Sequence, residues 1–181
     1  MSQKPQILHT SVVARSRLFT VESVELKFTN GVERTYERLA PGGHGAVMVV
    51  AMLDDQHVAL IREYGGRIED YNLTLPKGAV DLGETGEQAA NRELQEEIGF
   101  AAGKLTKLKH LTLSPSYMKG GLDVWLAEDL YPSQLEGDEP EPLELVMWPI
   151  SDLHELVGRE DCTEGRAIAA LYLARDYMQQ R

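Results

Sequence analysis

Apolar and polar residues alternate through Val24, Leu26 and Phe28, the period of a half-buried strand. Asn30-Gly31 follows as a tight-turn signal, and a second extended run carrying Tyr36 completes a predicted hairpin over 18–39. Pro41-Gly42-Gly43 then breaks the chain, which divides a β extension over 1–43 from a main domain over 44–181. AVMVVAML (46–53) and HVALIRE (57–63) are strand-like runs on either side of Asp54-Asp55-Gln56. Residues 87–98 are helical by composition, and Gly99 stands where a left-handed C-terminal cap is expected. Further strands are predicted at 105–113, 122–128 and 143–148. The acidic, proline-containing EDLYPSQLEGDEPEP (128–142) reads as the loop between the last two. Thr163 is placed to cap a final helix, with Ile168, Leu171, Tyr172 and Leu173 in its apolar stripe. Strands and helices in this order predict an α/β or α+β sandwich, with sheet packed against helices.

Charge narrows the partners. The formal net charge of -11 argues against sequence-independent nucleic-acid binding or an anionic membrane surface, both of which need a positive footprint. No apolar run is long enough to cross a bilayer, and the N-terminus lacks the apolar stretch of a secretory signal. Cys162 is the only cysteine, so the expectation is a reducing, cytoplasmic setting with that thiol as a packing residue. An acidic protein with an anionic substrate would need a carboxylate-held divalent cation to neutralise the approach.

The segment from Gly78 to Phe100 carries the chemistry. Glu93, Glu96 and Glu97 stand at i, i+3 and i+4, which puts three carboxylates on one helix face. Like charges at that spacing cost stability unless water or a cation screens them. A solvated acidic face is the ordinary explanation of such a run. Against it stand a glycine-rich lead-in, KGAVDLGETG, a single nearby cation in Arg92, and the preference of Mg²⁺ for carboxylate oxygen.

These residues resemble the signature of the Nudix hydrolase family, G-x5-E-x7-R-E-U-x-E-E-x-G-U with U bulky and apolar. Gly78, Glu84, Arg92, Glu93, Leu94, Glu96, Glu97, Gly99 and Phe100 match it at every fixed position. The resemblance implies an α/β/α sandwich with a mixed sheet, and Mg²⁺ (with Mn²⁺ as a substitute) bound by Glu93, Glu96 and Glu97 with the Gly78 carbonyl. It further implies that Arg92 orients the glutamates, that Glu84 supports them, and that Glu97 is also a catalytic group. The implied reaction is attack of water on a nucleoside diphosphate linked to a second moiety.

Pro115, in SPSY, resembles the subgroup that hydrolyses ADP-ribose. VARSRLFTVESV (13–24), YERLAP (36–41) and KGAVDLGE (77–84) resemble the branch acting on ADP compounds more broadly. ADP-ribose, reduced NAD, dinucleoside polyphosphates and ADP-sugars are then the expected small-molecule substrates, with AMP as one product. Thr74 and Lys77 depart from the ADP-ribose subgroup, which carries Glu and Ala there. In that subgroup a late-loop Glu serves as general base; Glu141 is the first expectation here, then Glu139, with Glu144 nearer the strand. Arg38, Arg62 and Tyr117 are candidates for adenine contact, with Tyr36 equally a strand packing residue and Tyr64 equally a core one. Lys77 either meets a phosphate or is simply exposed. The N-terminal hairpin resembles the extension through which ADP-ribose hydrolases form homodimers; a plain edge-capping hairpin is the alternative. Competing activities are GDP-sugar or nucleoside triphosphate hydrolysis by the same signature, and a non-catalytic ADP-ribose sensor.

Overall fold

The computed structural model describes residues 3–40, 42–66 and 68–181. The first three strands, β1 (Gln6–Arg15), β2 (Thr20–Lys27) and β3 (Glu33–Leu39), form their own antiparallel sheet in the order β1-β2-β3. The hairpin expected over 18–39 is thus two strands of three. β1 escaped the periodicity reading because its register against β2 slips between Ile7 and His9 and again between Val12 and Ala14, which scrambles the two-residue pattern. The β2–β3 turn closes through Phe28 and Val32, with Gly31 at φ +83. Of the predicted break at 41–43, Pro41 lies outside the described residues.

The main sheet is mixed. Its path runs β10 (Glu144–Pro149), β5 (His57–Gly65), β4 (Ala46–Met52), β9 (Gly121–Pro132), β8 (Phe100–Thr112). Short strands β6 (Asp70–Thr74) and β7 (Lys77–Ala79) pair with β5 and β4. β4 and β9 are parallel; the other pairs are antiparallel. The run AVMVVAM has no polar position because both faces of β4 are covered. Val47, Val49 and Ala51 pack with Ala89, Ala90 and Leu94 of helix α1 (Gly86–Glu97). Met48, Val50 and Met52 face Ala167, Ala170, Leu171 and Ala174 of helix α3 (Gly165–Gln179), together with the short helix α2 (Leu153–Leu156). The result is an α/β/α sandwich with a mixed sheet, as expected.

Three local expectations are corrected. β9 continues through Asp129 to Pro132, so the loop begins only at Ser133; pairing with β8 overrides the weak strand propensity of that acidic stretch. Thr163 does not cap α3. Glu164 occupies the cap position, and Thr163 instead donates its N–H and hydroxyl to Asn72 Oδ1, both at 3.2 Å. Tyr64 is exposed rather than in the core, set edge-on to Tyr71 with ring centroids 5.5 Å apart. Cys162 is buried in the α3-side core, and burial pushes its thiol up, which suits a packing residue. No helix among the described residues is long and apolar enough to cross a membrane.

Candidate active site

Local chemistry starts and stops α1 at the ends its glutamates require. Thr85 accepts from Gln88 N–H at 3.2 Å, and Gln88 Oε1 accepts from Thr85 N–H at 2.8 Å, a capping box. The other end closes at Gly99, whose φ of +75 is open to glycine. Between these ends, burial of Ala89, Ala90 and Leu94 turns Glu93, Glu96 and Glu97 toward β7 and the loop at 133–143.

Arg92 gathers the carboxylates. Its Nε and Nη2 donate to Glu84 at 3.0 and 3.1 Å, and Nη1 donates to Glu93 at 2.7 Å and to Glu96 at 2.8 Å. Nη2 also donates to the Ala79 carbonyl at 2.8 Å, which ties the helix to β7. A planar fork can serve several acceptors at once; an ammonium could not hold the same set in place. The fork holds the Glu84 carboxyl below its ordinary value, and the acidic partners push Arg92 up.

Glu97 stands apart from that fork. Its Oε2 accepts from the Lys77 N–H at 3.1 Å. Burial pushes the Glu97 carboxyl up to about 8, against the pull of the Lys77 ammonium. Burial likewise raises Glu93, whose side chain fills the space above Gly78; a Cβ on Gly78 would lie 1.9 Å from Glu93 Oε1. Two buried carboxylates whose ionised forms lack enough positive charge are suited to a cation. Among the described residues no ready-made cage of three acidic, histidine or cysteine side chains exists. Arg92 holds Glu93 and Glu96 while Glu97 rests on the β7 backbone. The donors on offer are oxygens, the set that Mg²⁺ or Mn²⁺ takes.

The loop at 133–143 packs on the end of α1. Ser133 N–H reaches the Gly99 carbonyl at 3.0 Å and Leu135 N–H the Gln95 carbonyl at 3.1 Å. Its two foremost glutamates differ in surroundings. Glu141 accepts the Tyr71 hydroxyl at 2.6 Å. Glu139 is pushed up by burial, then by the charges of Glu63 and Asp138, with Lys77 opposing. Glu144 is bound to Arg62 on β5 at 3.0 Å.

A cleft of about 800 Å³ opens beside these groups, lined by Lys77 and Glu63, which are ion-paired, and by residues at the start of α3. Tyr117 lines this cleft and a second one of about 440 Å³, where Arg38, Tyr36 and Pro115 also lie. Arg38 is paired with Glu22 at 2.9 Å. Arg62 lines neither cleft; Glu144 and Asp161 hold it, the latter at 2.9 Å. Of the four expected substrate contacts, the structure therefore brings Lys77, Tyr117 and Arg38 to clefts and commits Arg62 to an ion-pair network. Glu63, Asn72, Glu164 and Arg166 were missed as cleft residues, because no sequence spacing joins β5, β6 and α3.

Comparison with known proteins agrees with this geometry. Residues 42–167 match the NUDIX domain model, and residues 5–38 match the NudE-type Nudix hydrolase N-terminal domain. The chain is 51% identical to the ADP compounds hydrolase NudE of Escherichia coli, covering 98% of this chain and 95% of that protein. It is 30% identical to an ADP-ribose pyrophosphatase of Bacillus subtilis, with 91% of each chain covered. A crystal structure of an ADP compounds hydrolase superposes with a TM-score of 0.92 at 50% identity, over 99% of this chain and 97% of that one. Nudix hydrolases generally depend on a divalent metal. The helix on which Arg92 marshals its glutamates is that of an enzyme, and the chain belongs to the Nudix hydrolase family.

Proposed function

We propose that this protein hydrolyses the pyrophosphate bond of ADP-linked compounds with Mg²⁺, releasing AMP and a phosphorylated fragment. Candidate substrates are ADP-ribose, reduced NAD, dinucleoside polyphosphates and ADP-sugars. The observation that carries this reading is the cleft lined by Lys77, whose backbone N–H holds Glu97 and whose side chain is paired with Glu63 in the same lining. The 51% identity to an ADP compounds hydrolase supports the choice of ADP over GDP-sugars or nucleoside triphosphates. Retention of all three helix glutamates speaks against a non-catalytic sensor.

Glu93, Glu96 and Glu97, with the Gly78 carbonyl, are the residues we assign to the metal. An ion held there would supply positive charge for the pyrophosphate and would lower the pKa of the attacking water. Lys77 faces a phosphate oxygen and releases Glu63 as it does so. Arg92 keeps Glu93 and Glu96 pointed at one place. A loop carboxylate takes the proton of the water. Glu139 is the candidate the surroundings support first, since burial and the charge of Glu63 push its carboxyl up, toward readier proton uptake; Glu141 is second, being engaged by Tyr71. Tyr117 and Arg38 are assigned to adenine, with no role there for Arg62.

A homodimer belongs to the same reading. Ile7, Leu8, Val12 and Val13 of β1 are 44–56% exposed along a strand with one unpaired edge, an apolar surface that a second copy would cover. A cytoplasmic location belongs to the same reading, supported by a single cysteine that is free and buried. The test is incubation with ADP-ribose, reduced NAD, GDP-mannose and a deoxynucleoside triphosphate, each with and without Mg²⁺. Metal-dependent AMP from the adenine substrates is expected. Turnover of GDP-mannose or the triphosphate alone would remove the ADP assignment.

A further inference from the structure

The loop at 133–143 carries Glu136, Asp138, Glu139 and Glu141 and no lysine or arginine, yet it packs on a helix whose own face is acidic. Burial raises Glu93 and Glu139, and charge adds to it: Asp138 on the loop acts on Glu93, and Glu63 on β5 acts on Glu139. Loop and site therefore repel, with the Lys77 ammonium opposing that repulsion at Glu139. What keeps the loop in place must be tethers that lie outside the carboxylate cluster.

One tether is at its entry. Ser133 donates its N–H to the Gly99 carbonyl at 3.0 Å and its hydroxyl to Gln95 Oε1 at 2.8 Å, and Leu135 N–H reaches the Gln95 carbonyl at 3.1 Å. The other lies beyond Glu139. Tyr71 on β6 donates its hydroxyl to Glu141 Oε1 at 2.6 Å, the short separation of a charge-assisted bond. Among the described residues, Glu141 alone of the side chains from Glu136 to Leu143 has a hydrogen-bond partner. Tyr71 is paired with Tyr64 across the β5–β6 ladder, and the edge-on Tyr64 ring supports it. The bond to Glu141 pushes the Tyr71 hydroxyl up, so it remains a donor through the neutral range.

The chain between Glu139 and the second tether is stiff. Glu139 and Glu141 each precede a proline, Pro140 and Pro142. Proline fixes its own φ and keeps the residue before it out of the helical region, so 139–142 has few conformations to choose from. Holding Glu141 thus holds Glu139, two residues away.

We propose that Tyr71 and Glu141 form a clasp that positions Glu139 beside Lys77 and Glu63, with Glu141 serving as a positioning residue and not as the proton acceptor. The hydroxyl fixes Glu141, the prolines pass that constraint along the chain, and Glu139 is kept at the site against the charge that repels it. This rests on the pyrophosphatase reading above and specifies how its loop carboxylate is held.

The test compares wild type with Tyr71→Phe, Glu141→Ala, Glu141→Gln and the double variant Tyr71→Phe/Glu141→Ala, all as the full chain. The first readout needs no turnover: a protease that cuts after glutamate is added, and cleavage between Glu136 and Gly137 is followed by mass spectrometry. Cutting follows the fraction of time the loop is free. It is expected to be at least about threefold faster in Tyr71→Phe and Glu141→Ala. Glu141→Gln is expected to match wild type, because its amide oxygen still accepts the hydroxyl. The second readout is AMP release from ADP-ribose with Mg²⁺. Tyr71→Phe and Glu141→Ala should each lower kcat about tenfold with little change in KM, the cost of a slightly misplaced group. The double variant should be no slower than either single one, since both remove one contact. Glu141→Gln should keep the acid limb of the kcat–pH profile where wild type has it, because the titrating base is elsewhere. Cleavage rates unchanged in Tyr71→Phe and Glu141→Ala overturn the clasp, as does a double variant whose loss is the product of the single losses. Glu141→Gln as slow as Glu141→Ala, with the acid limb gone, makes Glu141 the base and overturns it too. Absence of AMP from wild type removes the pyrophosphatase reading alone, and the cleavage rates still decide the clasp.

Discussion

Gly78 and Glu93 are in such close contact that a single methyl group on Gly78 would overlap the Glu93 carboxylate, at 1.9 Å from Oε1 and 2.2 Å from the carboxyl carbon. The glycine is needed here for space and not for a positive φ, since β7 runs directly under the helix carboxylate. Gly78→Ala should push Glu93 off its position while leaving both cores intact. A displacement of about 1 Å in a catalytic group commonly costs roughly a hundredfold, so kcat/KM should fall by about that factor with a small change in melting temperature. Wild-type kinetics in this variant would remove Glu93 from the site.

Arg92 should be replaceable by neither lysine nor alanine. Arg92→Ala leaves Glu84, Glu93 and Glu96 facing one another without a counter-charge, a loss of about 2–3 kcal/mol for groups this little exposed. Added Mg²⁺ should restore part of that stability, because it supplies the missing charge. Thermal melts with and without the ion test this; equal destabilisation in both conditions would separate Arg92 from the metal site.

The Glu97 carboxyl ties stability and metal affinity to pH. Its ordinary value is 4.5 and its value in the fold about 8, so the protonated form is the favoured one in the metal-free protein. Its contribution is fully present below 4.5 and is lost as pH rises through about 8. Glu97→Gln should therefore melt above wild type at about pH 8.5 without divalent ion, with the difference vanishing toward about pH 4.5. The same variant should lose turnover by orders of magnitude. Metal binding to wild type near pH 7 should release close to one proton, measured by calorimetry in buffers of different ionisation enthalpy.

Glu139→Gln should slow single-turnover hydrolysis by about a hundredfold or more, the scale of general-base catalysis. Glu141→Gln should have a smaller effect, since its carboxylate is engaged by Tyr71. The reverse order of the two would return the base to Glu141.

Val12→Glu with Val13→Glu should prevent self-association while leaving the main sheet unaffected, since both side chains are about half exposed on β1. Sedimentation velocity is the measurement. A wild-type chain that sediments as a monomer removes the homodimer from the reading.

What could be read from the chain alone was whatever is decided within a few residues. Glu93, Glu96 and Glu97 share a face because a helix repeats every 3.6 residues, and Gly99 ends that helix because it accepts a positive φ. The apolar run at 46–53 announced a strand. The signature over 78–100 carried the family and the metal ligands it implies. Tertiary structure decided what depends on register and packing between distant segments. β1 is a strand because β2 pairs with it through two slips that erase its own pattern. Glu97 has its raised value because folding buries it away from water, against the pull of the Lys77 ammonium and backbone N–H. Arg62 was drawn away from substrate by Asp161, 99 residues on, and Asn72 gained its orientation from Thr163, 91 residues on. No local period records such pairs, because the free energy that joins them is released only when the sheet and α3 close over the same core.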